Sequence, residues 1–408
     1  MKQRGFRFLW TGQSVANLGD VLYIVGLMSY LYRFTGSAVL MAFVPFFSTA
    51  SRFLSALVAP VFLEWMGLKR SLVVSQVGKT VLLLVFFLLH FFSLDGERLE
   101  TVFTTVILVS FFDGWATPAR GALVPLLVTR EKLIATNSFL SLMDQSISMG
   151  SWALGGIIAA RFGNNLLIAL SLILCGAAAL LMMLICVTEV RNRKQQAQSK
   201  QSKWTVMKKG WITIWRVPAL RTIFITESIN ALADVVWIAA IIYVFVAQAL
   251  HVDASWWGYI NFSFFAGLLL TSCYGMRWGT RLKKHASSTA VWGLLLACMI
   301  TLFFAMNSMP WAALVLSILY GAAVQFKSII FLTVEQNSVC AEQLANVFAA
   351  QDAVQSILFG IGSLIFGTLA DLFGIRSVFF LSALLLFLAF FLLLVYRKQI
   401  VIKKQVSD

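Results

Sequence analysis

Charged side chains are scarce in this sequence: they make up 12 percent of the 408 residues, whereas a typical soluble domain has about a quarter. Acidic residues are the scarcest, with 17 Asp and Glu against 32 Lys and Arg. So little charge on a chain that is 60 percent hydrophobic excludes an ordinary soluble globular protein. The composition indicates a protein embedded in a lipid bilayer.

Histidine and cysteine are also few. His90, His251 and His285 are scattered and lack the short spacing of zinc ligands, so we expect no metal and no cofactor. The five cysteines fall in apolar stretches or in a cytoplasmic loop, where disulfides do not form, and we predict none. Gly78-Lys79-Thr80 matches the end of a phosphate-binding loop, but the first glycine of that motif is missing. Nothing in the sequence supports an enzyme.

Apolar stretches of the length that spans a bilayer, about 20 residues, are the dominant pattern. Between the charged clusters we count twelve. They run over residues 8–32, 38–63, 71–92, 102–126, 133–160, 165–187, 220–248, 256–276, 288–306, 311–333, 344–370 and 377–396. The predicted fold is an all-α polytopic membrane protein with 12 transmembrane helices in two six-helix, pseudo-symmetric halves.

The net charge of +15 reflects topology. Most basic residues fall in alternate loops and in both tails, and basic residues near short loops stay in the cytoplasm. We therefore expect a multi-pass protein of the cell membrane with both termini cytoplasmic. The same distribution argues against binding of nucleic acid.

Two segments 214 positions apart are alike: residues 13–20 and residues 227–234, each ending in an aspartate inside an apolar stretch. The basic pair Lys69-Arg70 recurs at Lys283-Lys284 with the same offset. Residues 156–163 and 367–374 form a third, slightly offset match. Two similar membrane halves in one chain are typical of transporters built from parallel repeats.

A polar, basic stretch separates the halves and has the composition of a flexible linker. The residues after it mix tryptophan with lysine and arginine, and either lie along the inner membrane surface or extend the seventh span. We expect a monomer. The predicted segments are an N-terminal six-helix bundle (1–187), a basic cytoplasmic linker (188–216), a C-terminal six-helix bundle (217–396) and a cytoplasmic tail (397–408).

Intramembrane charges locate the functional candidates, because each costs a few kcal/mol in hydrocarbon and usually faces a cavity or a partner. A carboxylate in a low dielectric also takes up a proton more readily than in water. Asp20 and Asp234 are the leading proton-coupling candidates since they are related by the repeat, and Asp144 and Asp352 follow. Gln13 and Asn17 share the helix face of Asp20, and Glu227 and Asn230 share that of Asp234, so these four are candidates for substrate binding.

The alternative interpretation of each charge is a fixed ion pair that holds helices together. We favour it for Asp113, with Arg120 as the expected partner. The third span carries only Gln76 and Lys79 near its start, so we interpret it as a supporting helix.

The whole chain resembles the major facilitator superfamily. That family's loop between spans two and three reads Gly-x-x-x-Asp-Arg-x-Gly-Arg-Lys. The stretch 60–70 keeps the acid as Glu64, the turn as Gly67 and the basic charges as Lys69 and Arg70, while Pro60, Trp65 and Leu68 depart from the motif. The resemblance implies that these four conserved features form a gating loop. In the span-five antiporter motif only Gly155-Gly156 survives.

Residues 6–20, then Thr35-Gly36-Ser37, 117–125 and 135–138, are similar to a subfamily of bacterial exporters that includes macrolide-efflux and siderophore-export proteins. The resemblance implies export of an amphiphilic small molecule in exchange for protons, by rocking of the two halves. The degraded antiporter motif keeps open an importer or facilitator of the same fold. A non-transporting membrane sensor is a third hypothesis.

Overall fold

The computed structural model describes residues 2–35, 38–91, 99–186, 203–237, 239–253 and 255–400, and these ranges contain helices and no strand. Residues 188–202 of the predicted linker and 401–408 of the predicted tail lie outside them. The helices are α1 (Lys2–Thr35), α2 (Ala38–Met66), α3 (Leu68–Phe91), α4 (Leu99–Leu127), α5 (Leu133–Phe162), α6 (Asn164–Met183), α7 (Lys203–Arg216), α8 (Pro218–Ala233), α9 (Ala239–Phe245), α10 (Ser255–Lys284), α11 (Ala286–Met306), α12 (Pro310–Ser338), α13 (Ala341–Phe373) and α14 (Ile375–Tyr396).

The predicted spans each overlap one long helix, except for the seventh, which overlaps α8 and α9. Among the described helices, nine are long and apolar enough to cross a bilayer, or ten if α8 and α9 together form one broken span. Helices α5 and α10 have 30 residues each and are not among the nine. The count of twelve spans therefore stays a prediction.

The predicted seventh span, 220–248, is not one continuous α-helix. Helix α8 ends at Ala233, and residues Asp234–Trp237 form a 3-10 turn before α9 begins. The chain N-terminal to α8 is also separate from it: α7 ends at Arg216, Val217 is extended, and Pro218 begins α8. Proline is favoured at the first helical position because a proline has no N–H group to leave unpaired there. Of the two interpretations of residues 204–216, extension of the seventh span is therefore wrong.

The chain divides into two compact units. Unit 1 comprises Met1–Thr129, Ser146–Ile212 and Ala341–Ala353. Unit 2 comprises Arg130–Gln145, Thr213–Cys340 and Val354–Asp408. The predicted six-helix halves follow the sequence repeat, whereas these two units are defined by contacts within the chain. The start of α5 therefore belongs to unit 2, and the start of α13 belongs to unit 1.

Within unit 1, α1 packs along α6, α4 packs against α2 and α3, and α3 also contacts α6. Leu27, Leu83, Val106 and Ile168 contribute one almost fully buried side chain each from α1, α3, α4 and α6. Helices in lipid have little hydrophobic drive to associate, so such close packing is a main source of their cohesion.

Within unit 2, α8 packs along α14, α12 packs against α10 and α11, and α11 also contacts α14. Ile223, Leu294, Ile330 and Leu386 form the corresponding core. The four helix pairings of unit 1 thus recur in unit 2 between repeat-related helices. Gly163, before α6, and Gly374, before α14, both have φ of 82°, a conformation that favours glycine. The internal repeat read from the sequence is confirmed at the level of helix packing and backbone.

Close packing in unit 2 depends on glycine where α10 crosses α12. A Cβ atom on Gly267 would overlap the carbonyl oxygen of Ile318, and one on Gly321 would overlap that of Phe264. These obstacles are backbone atoms, which do not swing aside. By contrast, a Cβ on Gly258, near the start of α10, meets nothing within 4 Å.

We expect Gly267→Ala to lower the Tm of the purified protein, because overpacking a helix crossing costs about 1–3 kcal/mol. The matched control is Gly258→Ala in the same helix, which gains helix propensity of about 1 kcal/mol and meets no neighbour. Its Tm should stay level or rise. Equal losses in the two variants, measured by thermal unfolding in detergent, would show that the α10–α12 crossing tolerates a methyl group.

Candidate functional site

A cluster of four charges lies inside unit 1, and Lys79 is at its centre. The Nζ atom of Lys79 lies 2.6 Å from Asp20 Oδ1 and 2.6 Å from Asp113 Oδ1. Arg52 Nη2 lies 3.1 Å from the other oxygen of Asp113. The Lys79 side chain is 2% exposed, while Arg52 is 49% exposed. Two carboxylates and two cations from α1, α2, α3 and α4 thus form one balanced network, which we call the unit 1 cluster.

Helix α3 is fixed to its neighbours by side chains that bond to backbone carbonyls. Ser75 Oγ donates to Phe112 O at 2.8 Å, and Gln76 Nε2 donates to Cys175 O at 3.3 Å. These bonds tie α3 to α4 and α6 one turn before Lys79, so the position of the ammonium group is set by packing. The third span, interpreted from the sequence as a supporting helix, thus carries the central cation of this network.

Gln13 and Asn17 lie on α1, before Asp20. The amide of Gln13 donates to Asn17 Oδ1 at 2.8 Å, and both side chains are half-buried. The shared face predicted from their spacing is therefore present as a hydrogen-bonded pair.

The second polar cluster, in unit 2, has a different balance of charge. Lys327 Nζ on α12 lies 2.9 Å from Glu227 Oε1 on α8. The oxygens of Asp234 receive a hydroxyl and an amide: Tyr320 Oη donates to Oδ1 at 2.6 Å, and Asn230 Nδ2 donates to Oδ2 at 2.6 Å. This unit 2 cluster therefore holds two carboxylates and one cation.

Tyr320 is positioned in this cluster by an aromatic neighbour. Its ring stacks on Trp237 with centroids 3.8 Å apart, and the indole N–H of Trp237 donates to Thr301 Oγ1 at 3.3 Å. Asp234 itself begins the 3-10 turn that interrupts the helix. A helix interruption beside an intramembrane carboxylate is a common feature of transporter binding sites. Helix α1, in contrast, continues as α-helix through Asp20.

The repeat explains how the two clusters differ. With the offset of 214, Asp113 corresponds to Lys327, and Lys79 corresponds to Gly293. A Cβ on Gly293 would lie 3.7 Å from Lys327 Cβ, so the helix that supplies the cation in unit 1 leaves room for a cation from α12 in unit 2. The buried cation therefore comes from α3 in unit 1 and from α12 in unit 2, and Lys327 stands at the position related to the acid Asp113.

The predicted gating-loop residues lie at the α2–α3 junction. Glu64 pairs with Lys209 on α7, with Nζ 2.9 Å from Oε2. Gly67 has φ of 80° between the two helices, a value that glycine adopts without strain. Lys69 is half-buried and Arg70 is exposed. Glu64, the acid of the predicted gating loop, is thus bound by α7.

The remaining proton-coupling candidates are not among the residues that define the two clusters. Asp144 is half-buried on the part of α5 that belongs to unit 2. Asp352 is half-buried on the part of α13 that belongs to unit 1, where Arg52 of the unit 1 cluster interacts with it electrostatically. Asp113 is ion-paired, as expected of a fixed structural charge, and its observed partners are Lys79 and Arg52.

Sequence reasoning missed Tyr320, Trp237 and Lys209 as members of these sites. Tyrosine and tryptophan are frequent in membrane helices, and nothing local distinguishes these two. Lys79 had a usable signal: it lies 11 residues after Leu68, a depth of about 16 Å at 1.5 Å per residue. That is roughly half of a 30 Å hydrocarbon core, where a lysine needs a partner.

Comparison with known proteins gives the family. The sequence profile described as Major Facilitator Superfamily matches residues 9–350. The chain is 26% identical over 383 residues to the MFS-type transporter YfmI of Bacillus subtilis, covering 94% of each chain. It is 22% identical over 394 residues to macrolide efflux protein A of Streptococcus pyogenes, covering 93% of each.

Solved structures show the same fold. A bacterial homologue of the iron transporter ferroportin, in an outward-facing state with soaked iron, matches with a TM-score of 0.75, 16% identity and coverage of 96% of this chain and 98% of that one. The fucose:proton symporter FucP of E. coli matches with a TM-score of 0.73, 12% identity and coverage of 95% and 98%. At these identities the likeness concerns the fold alone.

We expect Lys79→Met to destabilise the protein by about 3–5 kcal/mol, because it leaves two carboxylates in a low dielectric without their shared cation. The double variant Lys79→Met/Asp113→Asn should be less destabilised, since Asp20 and Arg52 then balance. Lys284→Met, at the exposed end of α10, is the control and should leave the Tm unchanged. A lower Tm for the double variant than for Lys79→Met would show that Lys79 does not stabilise the protein by balancing charge.

Proposed function

The chain belongs to the major facilitator superfamily, and on that premise we propose that it exports amphiphilic small molecules in exchange for protons. Transport then works by alternating access of the two repeat-related halves, a mechanism suited to this fold. Exchange of a proton against a substrate needs an intramembrane group that gains and loses charge during the cycle.

The observation that carries the proposal is the uneven charge of the two clusters. In unit 1 each carboxylate faces a cation, whereas the oxygens of Asp234 face Tyr320 and Asn230. A carboxylate balanced by hydroxyl and amide donors changes its charge without leaving an ammonium group unpaired. Asp234 is therefore the leading site for the coupling proton.

Asp20 has a different role in this proposal. Its proton uptake would leave Lys79 with Asp113 alone, so Asp20 responds to whatever rearranges the unit 1 cluster. Asp144 and Asp352 remain secondary candidates, because neither belongs to the two clusters.

Substrate binding is proposed for the polar faces beside these acids. Gln13 and Asn17 on α1, and Glu227 and Asn230 on α8, offer amide and carboxylate groups on otherwise apolar helices. An amphiphilic molecule needs this mixture of a few polar groups and a largely apolar surface. Macrolide efflux protein A, a relative over nearly the whole chain, also supports an exported amphiphile.

We expect Asp234→Asn to abolish substrate-driven proton movement in proteoliposomes while counterflow of the substrate continues. The amide keeps the size of the side chain and can still accept from Tyr320 Oη, but it cannot bind and release a proton. The measurement follows lumenal pH while a panel of macrolides and amphiphilic dyes is supplied, and counterflow is then measured without a proton gradient.

The control is Asp253→Asn in the exposed loop before α10. Asp253 accepts a hydrogen bond from the Ser255 backbone N–H at 2.8 Å, and asparagine serves the same purpose. This variant should transport and couple normally. Undiminished proton movement in Asp234→Asn would refute the assignment of the coupling proton to Asp234. Proton movement in the same direction as the substrate would establish symport instead of exchange.

A further inference from the structure

Helix α7 has two faces with different surroundings. Gly210 and Ile214 are buried, so the face of α7 that carries them packs against the rest of the protein. Lys209 makes the ion pair with Glu64. A Cβ atom on Gly210 would overlap the carbonyl oxygen of Asn346, so only glycine allows α7 to approach α13 this closely.

The opposite face of α7 is exposed. Lys208, Ile212, Trp215 and Arg216 are spaced i, i+4, i+7 and i+8, which places them on one side of the helix. Ile212 is 43% exposed and Trp215 is 53% exposed. An isoleucine and a tryptophan between two basic residues make a surface that suits the boundary between lipid headgroups and acyl chains.

The charge of α7 is positive. The 14 residues of α7 include four basic residues and no acidic one. The end of α2, which Lys209 contacts through Glu64, carries a further exposed aromatic side chain, Trp65, which is 76% exposed. Tryptophan is enriched at membrane–water interfaces, and basic clusters on amphipathic helices bind anionic phospholipid.

We propose that the outward face of α7 is a binding surface for a bilayer that contains anionic phospholipid. Trp215 and Ile212 enter the headgroup region, and Lys208 and Arg216 contact phosphate groups. The ion pair of Lys209 with Glu64 and the contact at Gly210 transmit this attachment to the α2–α3 junction and to α13. The inference does not rest on the proposed transport activity.

The test uses hydrogen exchange of the full-length protein in nanodiscs. One set contains phosphatidylcholine alone, and the other also contains phosphatidylglycerol. We expect the amides of residues 203–216 to exchange at least about fivefold more slowly in the anionic discs, the effect of roughly one basic residue at such a surface. Amides of α12 serve as the internal reference and should not change.

The variant Lys208→Gln/Arg216→Gln should lose the difference between the two sets of nanodiscs, while Arg281→Gln/Lys284→Gln, which removes two exposed basic residues from α10, should retain it. Trp215→Ser should reduce the difference without any change of charge. Equal exchange of the unaltered protein in both sets would overturn the proposal. So would equal slowing when free glycerol phosphate is added to phosphatidylcholine discs, because the ligand would then be a soluble anion.

Discussion

The requirement that a charge in hydrocarbon has a partner governs this structure. Lys79 is almost fully buried and touches two carboxylates on two other helices, so α1, α3 and α4 must keep the positions that preserve both contacts. Side-chain bonds from Ser75 and Gln76 hold the same helix one turn before Lys79. The helix packing of unit 1 and the charge balance of its cluster therefore depend on each other.

Unit 2 uses the same helix pairings for a different electrostatic arrangement. Its cation comes from α12, and the position related to Lys79 is Gly293. Asp234 is left with hydroxyl and amide donors at a point where the helix is interrupted. A duplicated scaffold thus carries one balanced cluster and one with an extra acid.

The polar candidates and their neighbours on the same helix could be predicted from the sequence, but their partners on other helices could not. Spacing placed Gln13 with Asn17 and Asn230 with Asp234, because residues four apart on a helix are neighbours. Partners on other helices followed no local pattern: Tyr320 is 86 positions from Asp234, and Lys209 is 145 positions from Glu64. Such pairs depend on how helices pack, and side chains of the same type elsewhere in the chain offered equally plausible partners.

The sequence by itself determined the helices from local patterns, and the repeat and the family from likeness between stretches of sequence. Apolar runs must bond their own backbone groups in lipid, and glycine at 67, 163 and 374 sets the turns. Only the tertiary structure decided which charges pair, where the seventh span breaks and which face of α7 is buried. These depend on atoms brought together from distant parts of the chain, where one interhelical contact selects among several alternatives of similar local energy.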